Sequence, residues 1–554
     1  MPSIEQLSIN DQDNDKASKE EGVIGVETQD IYRDDSLDPV YQAKARILND
    51  AFQEIGMGKY QWYLFIVAGF GWLSDNLWPV VTGLILTQVV NEFNFQGPFL
   101  KLGQNIGLLV GAAFWGVGSD IWGRQWSFNI TLFITGVFAT AAGGSNDYIT
   151  LCTLAALWGV GVGGNLPVDS AVFLEFVPAS HQYLLTVLSI WWAFGQLLGS
   201  LVAWPLLSHY SCPTTVPPSP CPRSSNMGWR YFLYAMGGLM LVLFILRFFV
   251  FHLYESPKYL MGRGRDEEAV QVVLKVAEYN GTRSNLTLEK LREVGELKGQ
   301  TDEEKGKGGG VMDTSVRGVI RRKLEVFSGH HVKSLFATRK LAWSTSLLII
   351  LWALIGLAFP LYNGFVTYFL ATRGADFGDG SVYITYRNQV ILSVIGVPGA
   401  LLAGWCVELP YLGRRGTLSI STSTTLSDYP LSHLSSRYSY VTFTVLTGVF
   451  LFAATTARTS NALLGWNCGY SFTSNIMYGV LYAISPELFP TKDRGTGNAI
   501  VASANRVFGI MAPIIALYAN LTTSVPIWIS GALFLISGLI ALLLPFDPRG
   551  KASL

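Results

Sequence analysis

Two sets of long apolar runs divide the chain. The first set begins near Trp62, Phe99, Trp126, Ile149, Tyr183 and Trp229, and the second near Leu341, Asn388, Val445, Asn461, Thr496 and Ser524. Each run approaches the roughly 20 residues that a helix needs to cross the hydrocarbon of a bilayer. The pattern therefore predicts an all-α membrane protein with twelve transmembrane helices in two six-helix halves. Polar stretches mark the boundaries. Residues 1–60 are acidic and poor in aromatics, which predicts a disordered cytosolic tail. Residues 61–254 make the first half, 255–340 a polar central loop, 341–547 the second half and 548–554 a short C-terminal tail. Within the loop, Ala269, Val272, Val273 and Val276 recur at helical spacing, so a short helix over Asp266–Asn280 is expected under the bundle.

Charge adds an orientation. The central loop carries Arg321, Arg322, Lys323 and Lys333, and the bias of basic residues towards cytosolic loops places this loop and both termini in the cytosol. Half of the 554 residues are hydrophobic and 14% are charged, against about 25% charged in ordinary soluble domains. Lipid is thus the first partner of this chain. Net charge is zero with no basic stretch, which excludes nucleic-acid binding. Five cysteines make no disulfide framework, although Cys212 and Cys221, flanked by prolines in a polar connection, are placed to pair. The residues suggest no catalytic triad and no metal cluster, so neither an enzyme nor a cofactor is expected.

The halves repeat a motif. Gly116-Val-Gly-Ser-Asp120-Ile-Trp-Gly123-Arg124 joins two spans, and a looser copy, Gly404-Trp-Cys-Val-Glu408 followed by Gly413-Arg414-Arg415, recurs in the second half. A second landmark, Glu-x-x-Pro, follows the fourth span at Glu175 and the tenth at Glu487. Arg124 to Arg414 is 290 residues and Glu175 to Glu487 is 312, so the second half carries 22 more between its landmarks. A serine-, threonine- and tyrosine-rich run at 421–444 accounts for them. It is much longer than a common helix connection, and it reads as an anomalous insertion, such as a translated intron.

With these motifs the chain resembles the major facilitator superfamily over nearly all of residues 60–547. Glu255-Ser-Pro-Lys-Tyr-Leu260 and Pro486-Glu-Leu-Phe-Pro-Thr491 with Arg494-Gly-Thr-Gly497 are similar to sugar-porter motifs, while Gly161-Val-Gly-Gly-Asn-Leu-Pro167 and Asp75 resemble the branch of synaptic vesicle glycoprotein 2, niacin transporters and fungal relatives. The resemblance implies a transporter. Two departures weigh against a hexose: Trp158 stands where a fourth-span arginine is expected, and Leu357-Ala-Phe-Pro-Leu-Tyr-Asn363 replaces the glutamine-rich seventh-span motif.

Candidate chemistry follows from charges that a membrane tolerates poorly. Asp75, within the first span, is the candidate proton-coupling group, and Asp169, low in the fourth span, is a second. Arg506 in the eleventh span offers a planar, two-point donor to an anionic substrate. Trp192 and Gln196 share a face of the fifth span, and Tyr362, Asn363 and Tyr368 lie in the seventh; all five are candidates to line a midplane cavity between the halves. Asp120, Arg124, Glu175, Glu255, Glu408, Arg414, Arg415, Glu487 and Arg494 fall at the cytosolic edge and alternate in sign, as an inner gate of ion pairs would. The expected function is transport of a small polar organic solute (an organic acid, a niacin-like compound or a sugar) by alternating access with protons as coupling ions. The alternative is a transporter-like membrane sensor or binding protein with little flux. A monomer in the plasma membrane is expected.

Overall fold

The computed structural model describes residues 39–181, 184–212, 221–293, 332–333, 335–378, 381–408, 436–485, 488–489, 494–519, 521 and 523–544. A helix precedes the first span: α1 (Pro39–Ile55) buries Leu48, Ala51, Phe52 and Ile55. The first half then comprises α2 (Lys59–Phe93), α3 (Pro98–Trp122), α4 (Arg124–Ala142), α5 (Tyr148–Phe176), α6 (Ile190–His209) and α7 (Gly228–Ile245). Two short helices, α8 (Pro257–Gly262) and α9 (Asp266–Asn280), follow. The second half comprises α10 (Arg339–Asn363), continued by α11 (Val366–Asp376), then α12 (Val382–Glu408), α13 (Ser436–Thr455), α14 (Ser460–Ile484), α15 (Arg494–Tyr518) and α16 (Val525–Leu542). Among the described residues, seven of these helices are each long and apolar enough to cross a membrane by length and composition.

The packing repeats between halves. α2 lies on α6, α3 on α5 and α4 on α7, matched by α10 on α15, α12 on α14 and α13 on α16. The halves meet through α3 on α15 and α6 on α12, the same pair of positions exchanged. This is the arrangement of duplicated halves related by a two-fold axis. Small residues allow close contact: a Cβ on Gly107 of α3 would lie 2.0 Å from the Ala156 carbonyl oxygen of α5.

Apolar packing shows where the halves join. At the end carrying the 116–124 loop, one buried cluster joins first-half residues to α1, α8, α9 and Leu291, from Leu48 to Leu291, with none from the second half. A second belongs to the second half alone, from Leu335 to Leu544. The third, at the opposite end, mixes Leu77, Trp78, Leu84 and Leu100 with Leu361, Phe365, Val382, Tyr386 and Ala512. Hydrogen bonds reinforce that seam: the Tyr386 hydroxyl donates to the Leu84 carbonyl at 2.7 Å, Asn105 Nδ2 to the Gly509 carbonyl at 2.9 Å, and Ser200 and Ser393 share one of 2.8 Å. Gly83 belongs to it too, because a Cβ there would stand 3.1 Å from the Gly364 carbonyl oxygen, at the break between α10 and α11.

Three expectations need correction. Residues 39–55, assigned to a disordered tail, are helical, because their apolar side chains repeat at helical spacing and pack on α8, α9 and the 179–181 turn. The ninth span begins at Ser436, inside the segment read as an insertion, and Phe443 and Thr444 are buried in it; residues 421–435 lie outside the described residues. The eighth span begins at Val382 and not at Asn388, since Tyr386 is held in the seam.

Candidate functional site

The loop motif builds a charged cluster at one end of the first half. Gly123 sits at φ +106, a backbone conformation that a side chain would strain, and a Cβ there would come within 2.4 Å of Glu255 Oε2. This lets Glu255 reach the start of α4, where it accepts from the backbone N–H of Arg124 at 2.8 Å and of Gln125 at 3.3 Å. An acid at a helix N-terminus is favoured by the exposed amides. The Arg124 guanidinium in turn pairs with Asp120 at 2.8 Å and Glu175 at 3.2 Å, and donates to the Ser119 hydroxyl at 2.8 Å. Burial pushes the Glu255 carboxyl above its ordinary value, partly offset by the N–H groups of Ser256, Arg124 and Gln125. These partners lie in the first half and, for Glu255, at the first residue after it; none of the described ones lies in the second half. Of the second-half gate candidates, Glu408 closes α12 and Arg494 opens α15 with their side chains outside the described residues, where Arg414, Arg415 and Glu487 also lie.

The central site spans both halves. Asp75 of α2 and Arg506 of α15 meet at 3.1 Å, with side chains 12% and 27% exposed. Arg506 is therefore held by Asp75 in this structure rather than left open to a substrate. Aromatic rings surround the pair. Trp192 of α6 lies between Trp72 at 5.0 Å and Tyr482 at 5.0 Å, and Trp352 of α10 packs on Tyr482 at 4.8 Å. The Trp192 carbonyl accepts from Asn76 Nδ2 at 3.2 Å, tying α6 to the residue after Asp75. Gln196 is half-buried one turn further along α6.

Not every candidate faces that place. Asp169 is fully buried and bonded to Arg247 of the sixth span at 2.7 Å and 3.3 Å. Tyr362 packs inside the second half, with its hydroxyl on Asn467 and its ring 4.7 Å from Tyr470. Asn363 ends α10 beside Gly83, and Tyr368 is half-buried against the mixed cluster of the seam. Cys212 and Cys221 are joined as a disulfide at the end away from the loop motif.

Several charged groups in the spans gave little signal in the sequence. Arg247 sits in the apolar stretch Leu-Arg-Phe-Phe-Val, a π-helical turn that ends the sixth span. Glu92 and Arg230 form a two-point pair at 2.7 and 2.9 Å, with Trp229 and Asn226 also donating to Glu92. Lys101 is 4% exposed and gives its ammonium to the Pro79 carbonyl. Each lies within a run that reads as apolar on average.

The family described as Sugar (and other) transporter matches residues 103–546. The chain belongs to this family, within the major facilitator superfamily. The transporter is 59% identical over 525 residues, 95% of this chain and 94% of the other, to the "MFS siderochrome iron transporter 1" of Ceriporiopsis subvermispora. It is 25% identical to the "Niacin transporter NiaP" of Acinetobacter baylyi over 84% of this chain and 88% of that one. In fold it is similar to the xylose transporter XylE of E. coli in a partially occluded inward open conformation, with a TM-score of 0.61, 15% identity, and 89% and 99% of the two chains covered. Family, relatives and fold together are thus those of a membrane transporter.

Proposed function

We propose that this transporter moves a small polar organic solute by alternating access, driven by protons that bind at Asp75. The observation that carries the reading is the ion pair between Asp75 and Arg506, because it joins the two halves at the midplane. Ionised Asp75 holds Arg506 and with it α15 against α2. Protonation removes the charge, and the pair loses the electrostatic attraction that favours this arrangement. Two packed halves can then rock about the site. With the loop motif, the central loop and both termini in the cytosol, the seam between Tyr386 and Leu84 lies towards the outer side. Arg124 with Asp120 and Glu175 then forms the first-half side of the inner gate.

The aromatic wall of Trp72, Trp192, Trp352 and Tyr482 suits a flat organic solute better than a sugar with hydroxyls on every side. Of the two relatives above, one is named for siderochrome iron and the other for niacin. Counterflow into proteoliposomes with sugars, small carboxylates, pyridines and ferric siderochromes, each with and without a pH gradient, tests the proposal. Accumulation of an organic solute that increases with an inward proton gradient is expected. Saturable exchange that ignores the gradient would remove the proton from the account, and absence of exchange by any member would remove small-solute transport.

A further inference from the structure

Among the cations of the described spans, Arg387 is half-buried and bonds only Asn388, and one fully buried cation is left over. Asp75 is matched by Arg506, Asp169 by Arg247 and Glu92 by Arg230. Lys101 of α3, 4% exposed, has no such match among the described residues: its ammonium meets the Pro79 carbonyl, and no charged group acts on it. The elements around it confirm this. On α2 the nearest acids in sequence are Asp75 and Glu92, both engaged; on α5 Asp169 is engaged; on α11 Asp376 pairs with Arg373. A buried charge without a counter-ion is costly, so the charged form of Lys101 gains from any anion that joins it.

Buried polar groups on the adjoining turns of α2, α3 and α5 are mostly donors. Gln104, one turn along α3, is fully buried with neither amide atom bonded. Trp78 stands next to Pro79, and its ring lies 5.3 Å from Trp158, which precedes Gly159 where α5 touches the Gln104 backbone. Both indole N–H groups are buried and unbonded. Lysine and indole can only donate, and the Gln104 amide offers two further N–H groups beside one acceptor oxygen, so donors outnumber acceptors. A sugar hydroxyl wants acceptors as well as donors, whereas a carboxylate only accepts.

We propose that Lys101, with the Gln104 amide and the indole N–H groups of Trp78 and Trp158, forms a subsite for the carboxylate of a small organic anion. The site opens at the seam: a Cβ on Gly364 would lie 3.4 Å from Lys101 Cε, so separation of α11 from α2 uncovers the ammonium towards the side opposite the loop motif. The inference rests on the transport reading and adds the charge of the substrate.

Its test uses full-length protein in proteoliposomes and matched probes that differ only in charge: pyridine-3-carboxylate against pyridine-3-carboxamide, and benzoate against benzamide. Wild type is expected to prefer the carboxylate. Lys101→Gln is expected to raise the KM for carboxylate at least about tenfold while leaving that for the carboxamide unchanged, and Lys101→Arg to recover part of the loss. Equal uptake of charged and neutral probes by wild type would overturn the subsite while leaving transport intact. Uptake of neither carboxylate, or an unchanged carboxylate KM in Lys101→Gln, would also overturn it. Should Lys101→Gln not fold, the wild-type preference and the Lys101→Arg affinity decide.

Discussion

Arg247 ties four spans together at one point. Its guanidinium bonds Asp169 of α5, donates to the Val67 carbonyl of α2 at 2.7 Å and to the Phe128 carbonyl of α4 at 2.6 Å, and lies 3.6 Å over the Phe128 ring. Removing one member of a buried pair leaves the other uncompensated, at about 3–5 kcal/mol. Arg247→Met is therefore expected to lower the thermal unfolding midpoint markedly in detergent, and adding Asp169→Leu to restore part of the loss. A double variant less stable than the single one would contradict a paired role. This contact was legible only in part. Asp169 stands out in an apolar span, but its partner is 78 residues away and hidden in an aromatic run. Lys101 is harder still, since a lysine near the start of a span reads as an interfacial anchor. Only the fold shows it to be buried in the seam.

Elements were legible where their own side chains set the period. Ala269, Val272, Val273 and Val276 face the bundle as α9, which starts with Asp266, Glu267 and Glu268 and stops at Gly281, at φ +73. The same period marks Tyr41, Ala45, Leu48, Phe52 and Ile55 of α1, but an acidic average over 60 residues conceals it. Asn280, the last residue of α9, then accepts from Tyr60 N–H at 2.9 Å and donates to Gln61, fixing the start of the first span. At the other end, Gly83→Leu should wedge α2 from Gly364 and hold the outer seam open. A cysteine placed at Ser393 should then react faster with an impermeant thiol reagent, and an unchanged rate would count against this closure. In the motif loop, the folded protein holds the Glu255 proton more tightly than the unfolded chain does. The contribution of Glu255 to stability is complete below its ordinary value of 4.5 and declines as pH rises through the raised folded value. Glu255→Gln should remove that decline from the pH profile of unfolding, and an unaltered profile would show that another group sets it.

At the scale of the molecule, the duplicated motif predicted two halves, and the exchanged contacts of α3 with α15 and α6 with α12 express the same symmetry in packing. What periodicity could not reveal is which spans face each other, so Asp75 and Arg506, 431 residues apart, were read as separate sites. The proposed inner gate draws on the same symmetry. Arg124→Gln should slow exchange at normal surface level, because it removes the cation shared by Asp120 and Glu175; unaltered exchange would make the cluster a static anchor. The central claim is that Asp75 carries the coupling proton. The most direct measurement compares solute accumulation under a pH gradient with counterflow at equal pH in Asp75→Asn. The account predicts that gradient-driven accumulation is lost while counterflow persists; accumulation that still follows the gradient would contradict it.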